Sequence, residues 1–266
     1  MVAEKVQNGE WAIVLGASSG FGLATAKKLA MHGYNLCLIY RVRRSDLAAI
    51  ETTYNEIKKA NGIELIHHNA DAIKETNRDD ILTQLEKILP KDKSVKVLVH
   101  SIAKGNLKPM QSTEGPTLKN DDFRLTIESM AISLYDWTKA IFDKQLFSSD
   151  ARIISFTSEG NTKAWSNYAA VSTAKVALEA ITRNIAAEFA PYGIKANCIQ
   201  AGVTDTASLR MIPGSEEIKS HSILRNPNGR LTTPEDVAAV TYLLTREESK
   251  WITGAIIPVD GGEHLR

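Results

Sequence analysis

The sequence has few cysteines, almost no excess of either charge and no long apolar run. Its 266 residues include 32 Lys and Arg against 31 Asp and Glu, so the formal net charge is +1. This balance argues against a nucleic-acid-binding or membrane-surface protein. Apolar residues make up 43% of the chain, enough for a sizeable core. No segment approaches the ~18 consecutive apolar residues of a membrane span.

The two cysteines, Cys37 and Cys198, both lie in apolar, strand-like segments. Buried free thiols are therefore predicted rather than a disulfide, as is usual in a cytosolic protein. The N-terminal segment MVAEKVQNGEWAIV contains no apolar stretch of signal-peptide length. These features predict a cytoplasmic protein.

Short apolar segments alternate with helical patterns along the whole chain. Apolar residues recur at helical spacing over 22–33 and 174–193, for example, and each pattern closes on a glycine. Apolar strands that alternate with helices indicate a parallel sheet covered on both faces. Residues 1–266 are therefore predicted to form one doubly wound α/β domain with a seven-stranded, mainly parallel sheet. The predicted strands are WAIVLG (11–16), NLCLIY (35–40), IELIHH (63–68), VKVLVHSI (95–102), ARIISFTS (151–158), IKANCIQAG (194–202) and AIIPVDGG (255–262).

One long segment interrupts this alternation. Residues 203–233 are mixed in character and have no strand pattern. Because such long insertions are often functional, we predict a substrate lid over about 203–233. Leu209, Met211 and Ile212 would either line an acyl channel or simply pack this segment.

The first strand leads directly into the glycine-rich sequence GASSGFG. Its glycines permit close approach of the backbone to a ligand, and the following helix would present free N–H groups to a pyrophosphate. The position after a strand and before a helix is that of a dinucleotide-binding loop, although a plain tight turn is the alternative. The predicted binding residues of this loop are Gly16, Ser18, Ser19, Gly20, Phe21 and Gly22.

The second strand ends in Tyr40 and is followed by three arginines in the sequence RVRR. An NAD-preferring site would place a carboxylate here to hold the ribose hydroxyls. A guanidinium instead binds a 2′-phosphate, which a carboxylate would repel. The sequence therefore predicts NADPH, with Arg41 and Arg43 on the phosphate. The alternative is a basic solvated loop.

The segment SNYAAVSTAK, residues 166–175, places a tyrosine seven positions before a lysine. If the segment is helical, Tyr168 and Lys175 share one face, separated by a rise of about 10 Å. A nearby ammonium lowers the pKa of a tyrosine, which makes it a better proton donor near neutral pH. A catalytic pair is therefore predicted, with an exposed surface pair as the alternative.

Together these motifs resemble the short-chain dehydrogenase/reductase family over nearly the whole chain. The resemblance is carried by the spacing Gly-x3-Gly-x-Gly, by NCIQAG and by the C-terminal PEDVAAVTYLL and WITGAIIPVDGG. It implies a Rossmann-type fold and a homotetramer or homodimer paired through helices at about 121–145 and 168–190. It also implies that Lys175 binds the nicotinamide ribose. The other cofactor residues that it implies are Asp71, Ala72, Ser101, Ile102, Ala103, Gly202, Val203 and Thr204.

The family's tyrosine usually lies four positions before its lysine. Tyr54–Lys58 and Tyr135–Lys139 have that spacing but lie elsewhere in the chain. The longer spacing from Tyr168 to Lys175 resembles that of enoyl-acyl carrier protein reductases of bacterial fatty-acid synthesis. So do VHSIAKG (99–105) and AGVTDTAS (201–208).

Three positions depart from the usual family pattern. Ser158 stands where many enoyl reductases have a second tyrosine, and Thr157 stands at the family's catalytic serine. We predict that one of these two hydroxyls assists Tyr168. Met130 replaces the helix asparagine of ordinary ketoreductases.

The resemblance implies NADPH-dependent reduction of the C=C bond of an enoyl thioester. Alternatives are a ketoreductase acting on a 3-oxoacyl thioester or other carbonyl, and a nucleotide-binding regulator without turnover. Acyl carrier protein is a possible partner of a basic mouth, although such side chains often serve only solvation. His67 and His68 are adjacent on a strand and so face opposite sides, which makes a poor metal site. The predicted basic residues of the mouth are Lys104, Lys108, Lys163 and Arg210.

Overall fold

A seven-stranded parallel sheet forms the centre of the computed structural model, which describes residues 9–89 and 95–266. Its strand order is β3-β2-β1-β4-β5-β6-β7, and every neighbouring pair is parallel, so the predicted fold class is confirmed. Residues 1–8, part of the N-terminal segment predicted to carry no signal stretch, lie outside the described residues. The strands are β1 (Trp11–Leu15), β2 (Asn35–Tyr40), β3 (Leu65–Asn69), β4 (Val95–His100), β5 (Phe147–Ser158), β6 (Ile194–Ala201) and β7 (Ile256–Val259).

Helices cover both faces of the sheet, and this explains why the central strands are apolar throughout. In β1, Ile13 and Leu15 pack into one core layer, whereas Ala12 and Val14 pack into the other. Successive side chains of a strand point to opposite faces, so both sets must be apolar when both faces are covered. The helices are α1 (Gly20–Met31), α2 (Leu47–Asn61), α3 (Glu75–Ile88), α4 (Asn120–Ile127), α5 (Ser133–Asp143), α6 (Ala169–Glu188), α7 (Ala207–Arg210), α8 (Ser215–Arg225) and α9 (Pro234–Leu243).

The predicted helix boundaries need correction at both ends. The pattern at 22–33 corresponds to α1, and that at 174–193 corresponds to α6, which begins five residues earlier than the pattern suggests. The predicted insertion at 203–233 contains two helices, α7 and α8. Among the described residues, no helix is both long and apolar enough to cross a membrane.

A π-helical segment, Glu128–Ile132, joins α4 to α5. This π-helical turn holds one more residue than an α-helical turn, and its Met130 faces the cleft described below. Such π-bulges occur frequently at functional sites.

Candidate active site

A large cleft opens at the carboxyl ends of the strands, where open parallel sheets bind their ligands. Its volume is about 1090 Å³. The loops that follow β1 to β6 all contribute side chains to it. Of the residues predicted from sequence, it is lined by Gly16, Ser18, Ser19, Gly20, Phe21, Arg41, Arg43, Asp71, Ala72, Ser101, Ile102, Ala103, Thr157, Ser158, Tyr168, Lys175, Gly202, Val203 and Thr204.

Two glycines allow the loop after β1 to close tightly. Gly16 has a φ of +82°, and a Cβ there would lie 2.3 Å from the carbonyl oxygen of Ser101. A Cβ on Gly22 would lie 2.2 Å from the carbonyl oxygen of Gly16. Gly22 therefore serves the packing of helix against loop.

The cleft suits a dinucleotide. The first turn of α1, Gly20 to Leu23, carries only small or apolar side chains, and its Gly20 and Phe21 line the cleft. The first N–H groups of a helix lack intrahelical partners and favour an anion such as a pyrophosphate. The cleft extends from this turn past Asp71 on one side and to Lys175 on the other, so it offers room for both nucleotide halves.

The two arginines after β2 differ in their surroundings. Arg41 donates from Nη1 to Asp71 Oδ2 at 2.6 Å, and Lys104 lies 3.9 Å from the same oxygen. Arg43 is exposed and also lines the cleft. Asp71 thus orients Arg41, whereas Arg43 faces the cleft beside it.

Tyr168 lies at the N-cap of α6, immediately before the first helical residue. Asn167, just before it, has a φ of +63°, in the left-handed region that asparagine tolerates better than most residues. The predicted helix over 166–175 is therefore wrong for its first three residues, because the chain turns at Asn167. The position of Tyr168 is set by this turn rather than by a continuous helical face.

Ser158 is the hydroxyl that reaches Tyr168. Its Oγ lies 3.3 Å from the tyrosine oxygen. Thr157 instead donates to Glu179 Oε1 at 2.6 Å, so the structure places the two candidate auxiliary hydroxyls in different networks.

Burial raises the pKa of Tyr168, and the hydrogen bond with Ser158 opposes this by a smaller amount. The expected lowering of this pKa by Lys175 is wrong for this structure, because the lysine Nζ donates to the Phe156 carbonyl at 2.7 Å and burial dominates. A raised pKa keeps the tyrosine hydroxyl protonated at neutral pH, as a hydrogen-bond donor must be.

Lys175 is 8% exposed and lies in the wall of the cleft. Burial lowers its pKa to about 8, against the attraction of Cys198 and Glu179. The amine is therefore a buried cation close to its titration point.

The end of the cleft near Tyr168 is apolar. Leu209 and Ile212 from the 203–233 segment pack in one cluster with Tyr168 and Met130. Met211 also lines the cleft but is largely exposed. Leu209, Met211 and Ile212 thus all line the cleft, and Leu209 and Ile212 also pack within its wall.

A buried ion network fastens the 203–233 segment to the site. Arg225, on α8, donates to both oxygens of Glu159, the residue after Ser158, and to Glu263 at 2.7 Å. The other oxygen of Glu263 accepts from the Val203 N–H at 3.1 Å. The start of the segment at Val203 is therefore tied to the C-terminal turn, and the end of α8 at Arg225 is tied to this turn and to Glu159.

The basic residues predicted around the mouth all have carboxylate neighbours. Such pairing weakens their combined attraction for an acidic partner. The four pairs are Lys104–Asp71, Lys108–Asp122, Lys163–Glu159 and Arg210–Asp205.

Besides Glu159 and Arg225, the sequence did not predict Trp165 and Glu179 as residues near the site. Trp165 lines the cleft, with its ring centroid 5.3 Å from that of Tyr168. Glu179 lies four positions after Lys175, a spacing at which helix side chains meet, and this was the available signal.

The chain belongs to the short-chain dehydrogenase/reductase class of oxidoreductases, which use a nicotinamide cofactor. Within that class, the chain belongs to the family described as enoyl-(acyl carrier protein) reductase, whose profile matches residues 16–264. The family resemblance predicted from sequence is therefore confirmed.

Relatives of this chain differ in their activities. An enoyl-acyl-carrier-protein reductase (NADH) of Aquifex aeolicus (strain VF5) is 26% identical over 263 residues, covering 97% of this chain and 92% of the relative. A 7alpha-hydroxysteroid dehydrogenase of Paraclostridium sordellii is 28% identical over 257 residues, covering 96% and 91%. The dehydrogenase/reductase SDR family member 6 of Danio rerio is 34% identical over 152 residues, covering 55% of this chain and 62% of the relative.

The crystal structure of the enoyl reductase from Aquifex aeolicus VF5 has the same fold. It superposes with a TM-score of 0.81 at 24% identity, covering 97% of this chain and 98% of that one.

Proposed function

We propose that this protein reduces the C=C bond of an enoyl thioester with NADPH. The observation that carries the proposal is the placement of Tyr168 before α6, seven positions ahead of Lys175 and against an apolar pocket. In this reaction negative charge develops on a carbonyl oxygen three bonds from the carbon that receives hydride, two bonds further than in the reduction of a ketone. A donor placed further from the lysine suits that oxygen, since stabilisation must be aimed where charge appears.

Each residue has a separate part in this proposal. When bound, the reduced nicotinamide supplies the hydride. Tyr168 donates a hydrogen bond to the thioester carbonyl and stabilises the enolate, with Ser158 orienting its hydroxyl. Lys175 holds the ribose, and its ammonium makes the site positive where charge develops. Thr157 donates its hydrogen bond to Glu179 and not to Tyr168, so its effect on the reaction is indirect.

NADPH is proposed rather than NADH because of the arginines after β2. We expect Arg43→Ala to weaken NADPH binding about 10- to 100-fold and NADH binding much less, since a charge-assisted contact to the 2′-phosphate is lost. Arg41→Ala should have a similar effect, because Asp71 already orients that guanidinium. Titration of each dinucleotide, followed by fluorescence, measures the affinities.

Arg44→Ala is the matched control, because Arg44 is exposed and begins the short turn after Arg43. It should leave the affinity ratio unchanged. Equal affinities of the wild-type protein for NADH and NADPH would refute the assignment.

We further propose that residues 203–233 act as a lid within the single domain. Lids exclude water from the reacting groups and must open for exchange. Amide hydrogen exchange in α7 and α8 should slow when NADPH and an unreactive acyl thioester are both present. The same strong protection with and without ligands would make the segment a fixed part of the core.

The oligomer and the carrier are proposals as well. Pairing through 121–145 and 168–190 is supported by exposed apolar side chains on these helices, namely Leu125, Ile132, Tyr135 and Val176. Acyl carrier protein is the proposed substrate carrier, supported by the description of the matching family. A cytoplasmic location is supported by the free thiols of Cys37 and Cys198.

A ketoreductase is the second candidate, supported by the full-length similarity to a hydroxysteroid dehydrogenase. A regulator that binds the dinucleotide without turnover is the third. NADPH consumption with a panel of enoyl thioesters, 3-oxoacyl thioesters and simple ketones separates the three. Only the enoyl reductase consumes cofactor chiefly with the enoyl thioesters.

A further inference from the structure

A line of polar side chains crosses an otherwise apolar face of α6. Lys175, Glu179 and Thr182 follow one another at helical spacing, and all three are buried. Their neighbours on this face are apolar: Val171, Ala174, Leu178 and Ile185. Burying polar groups in such a layer is unfavourable unless each has a hydrogen-bond or charge partner. The partners of these three side chains therefore indicate what each one does.

Glu179 has the most demanding position of the three. It is 7% exposed, and its Oε1 accepts from Thr157 at 2.6 Å and from Asn161 at 2.5 Å. Thr157 and Asn161 flank Ser158, the serine that contacts Tyr168. Glu179 therefore anchors, on α6, both sides of the segment that presents the auxiliary hydroxyl.

Glu179 also lies next to Lys175, one turn further along α6, a spacing at which helix side chains meet. The titratable groups that face the lysine are His100 on β4, Cys198 on β6 and Glu179 on its own helix. Burial lowers the pKa of His100 to about 3 and raises that of Cys198 to about 11, so both are uncharged at neutral pH. The nearby Tyr168 stays neutral too, because burial raises its pKa. Of these groups, Glu179 is the one carboxyl side chain.

We propose that Glu179 is a positioning residue that keeps Lys175 protonated in its buried site and fixes the Thr157–Asn161 segment beside Tyr168. The proposal rests on the proposed role of the Lys175 ammonium. If Glu179 served only as a hydrogen-bond acceptor, its replacement by glutamine would change the pKa of Lys175 little. If it is the charge partner of the lysine, the same replacement should lower that pKa.

The test reads Lys175 directly and needs no substrate. Trace labelling of the intact protein with acetic anhydride from pH 6 to 11, followed by peptide mass spectrometry, gives the pH at which Lys175 is half reactive. In Glu179→Gln this midpoint should fall by about 1 or more, because a charge one helical turn away in a poorly solvated site is lost. The exposed Lys104 in the same samples should keep its midpoint.

Two further variants separate charge from packing. Thr182→Val removes a hydrogen bond of the same polar line and should leave the midpoint of Lys175 within about 0.3 of the wild-type value. Glu179→Asp keeps a carboxylate and should bring the Lys175 midpoint most of the way back to the wild-type value.

An unchanged midpoint in Glu179→Gln would overturn the proposal, as would an equal fall in Thr182→Val. If Glu179→Gln does not fold, Glu179→Thr is neutral and polar as well, and the same fall is expected from it. A failed enoyl reductase assay leaves this result standing, because the labelling reports on the lysine alone.

Discussion

Replacing Tyr168 by phenylalanine is expected to lower kcat at least about 100-fold, because the carbonyl loses its hydrogen-bond donor. NADPH affinity should change little, since the hydroxyl acts on the substrate. The fold should also survive, because the ring keeps its packing against Trp165 and the residues of the 203–233 segment. Steady-state kinetics with an enoyl thioester and a separate cofactor titration measure the two effects.

Lys175→Ala should differ from Tyr168→Phe by damaging both turnover and binding. Loss of the ammonium should weaken NADPH binding by roughly 10- to 100-fold. Tyr135→Phe and Lys139→Ala are matched controls, because this pair has the family's common spacing but lies on α5 with partly exposed side chains. Their activity should equal that of the wild type. Unchanged NADPH affinity in Lys175→Ala would remove the lysine from its proposed role.

Arg225→Met is expected to destabilise the folded protein by about 3 to 5 kcal/mol, because breaking a buried ion network leaves charges without a partner. Burial alone would raise the pKa of Glu159, but the hydrogen bonds from Arg225 and Lys163 outweigh it and lower that pKa. Without the guanidinium, Glu263 would lose this charged partner and Glu159 would keep only Lys163. The melting temperature should fall by roughly 10 °C.

Arg124→Met provides the comparison, because its contact with Asp121 is exposed and 4.0 Å long. Exposed pairs contribute about 0 to 1 kcal/mol, so this variant should melt close to the wild type. Equal melting temperatures for the two variants would show that the Arg225 network contributes nothing measurable to stability.

The sequence predicted the architecture well because apolar strands and helix spacing are local signals. All seven strands overlap the predicted apolar segments, and the complete burial of β1 follows from the two covered faces. The glycine loop was also predictable, since its spacing and its place between strand and helix carry the signal.

Other features depend on contacts that no local pattern reveals. The helix begins only after Tyr168, because the chain turns at Asn167. Asparagine occurs in loops of many kinds, so its presence alone did not reveal this turn. Thr157 and Ser158 point to opposite faces because side chains alternate along β5. Their hydrogen-bond partners are Glu179 on α6 and Tyr168 at its N-cap, and no local pattern reveals these contacts. The network of Arg225 joins residues up to 66 positions apart, which a single sequence does not show.

The burial of Lys175 was likewise not predictable from its spacing alone. A lysine on an amphipathic helix usually extends to water, but here it faces β5 and donates to Phe156. Its low pKa and its dependence on Glu179 follow from that burial, so they emerge only from the packed structure.

The comparison of crotonyl and 3-oxobutanoyl thioesters, at the same chain length and carrier, tests the central claim most directly. With NADPH, kcat/KM for the crotonyl substrate should exceed that for the 3-oxo substrate by about 100-fold, since a donor misplaced by ~1 Å can cost that factor. Product analysis should show the saturated acyl thioester. A preference for the 3-oxo substrate, yielding a 3-hydroxyacyl thioester, would contradict the enoyl reductase assignment.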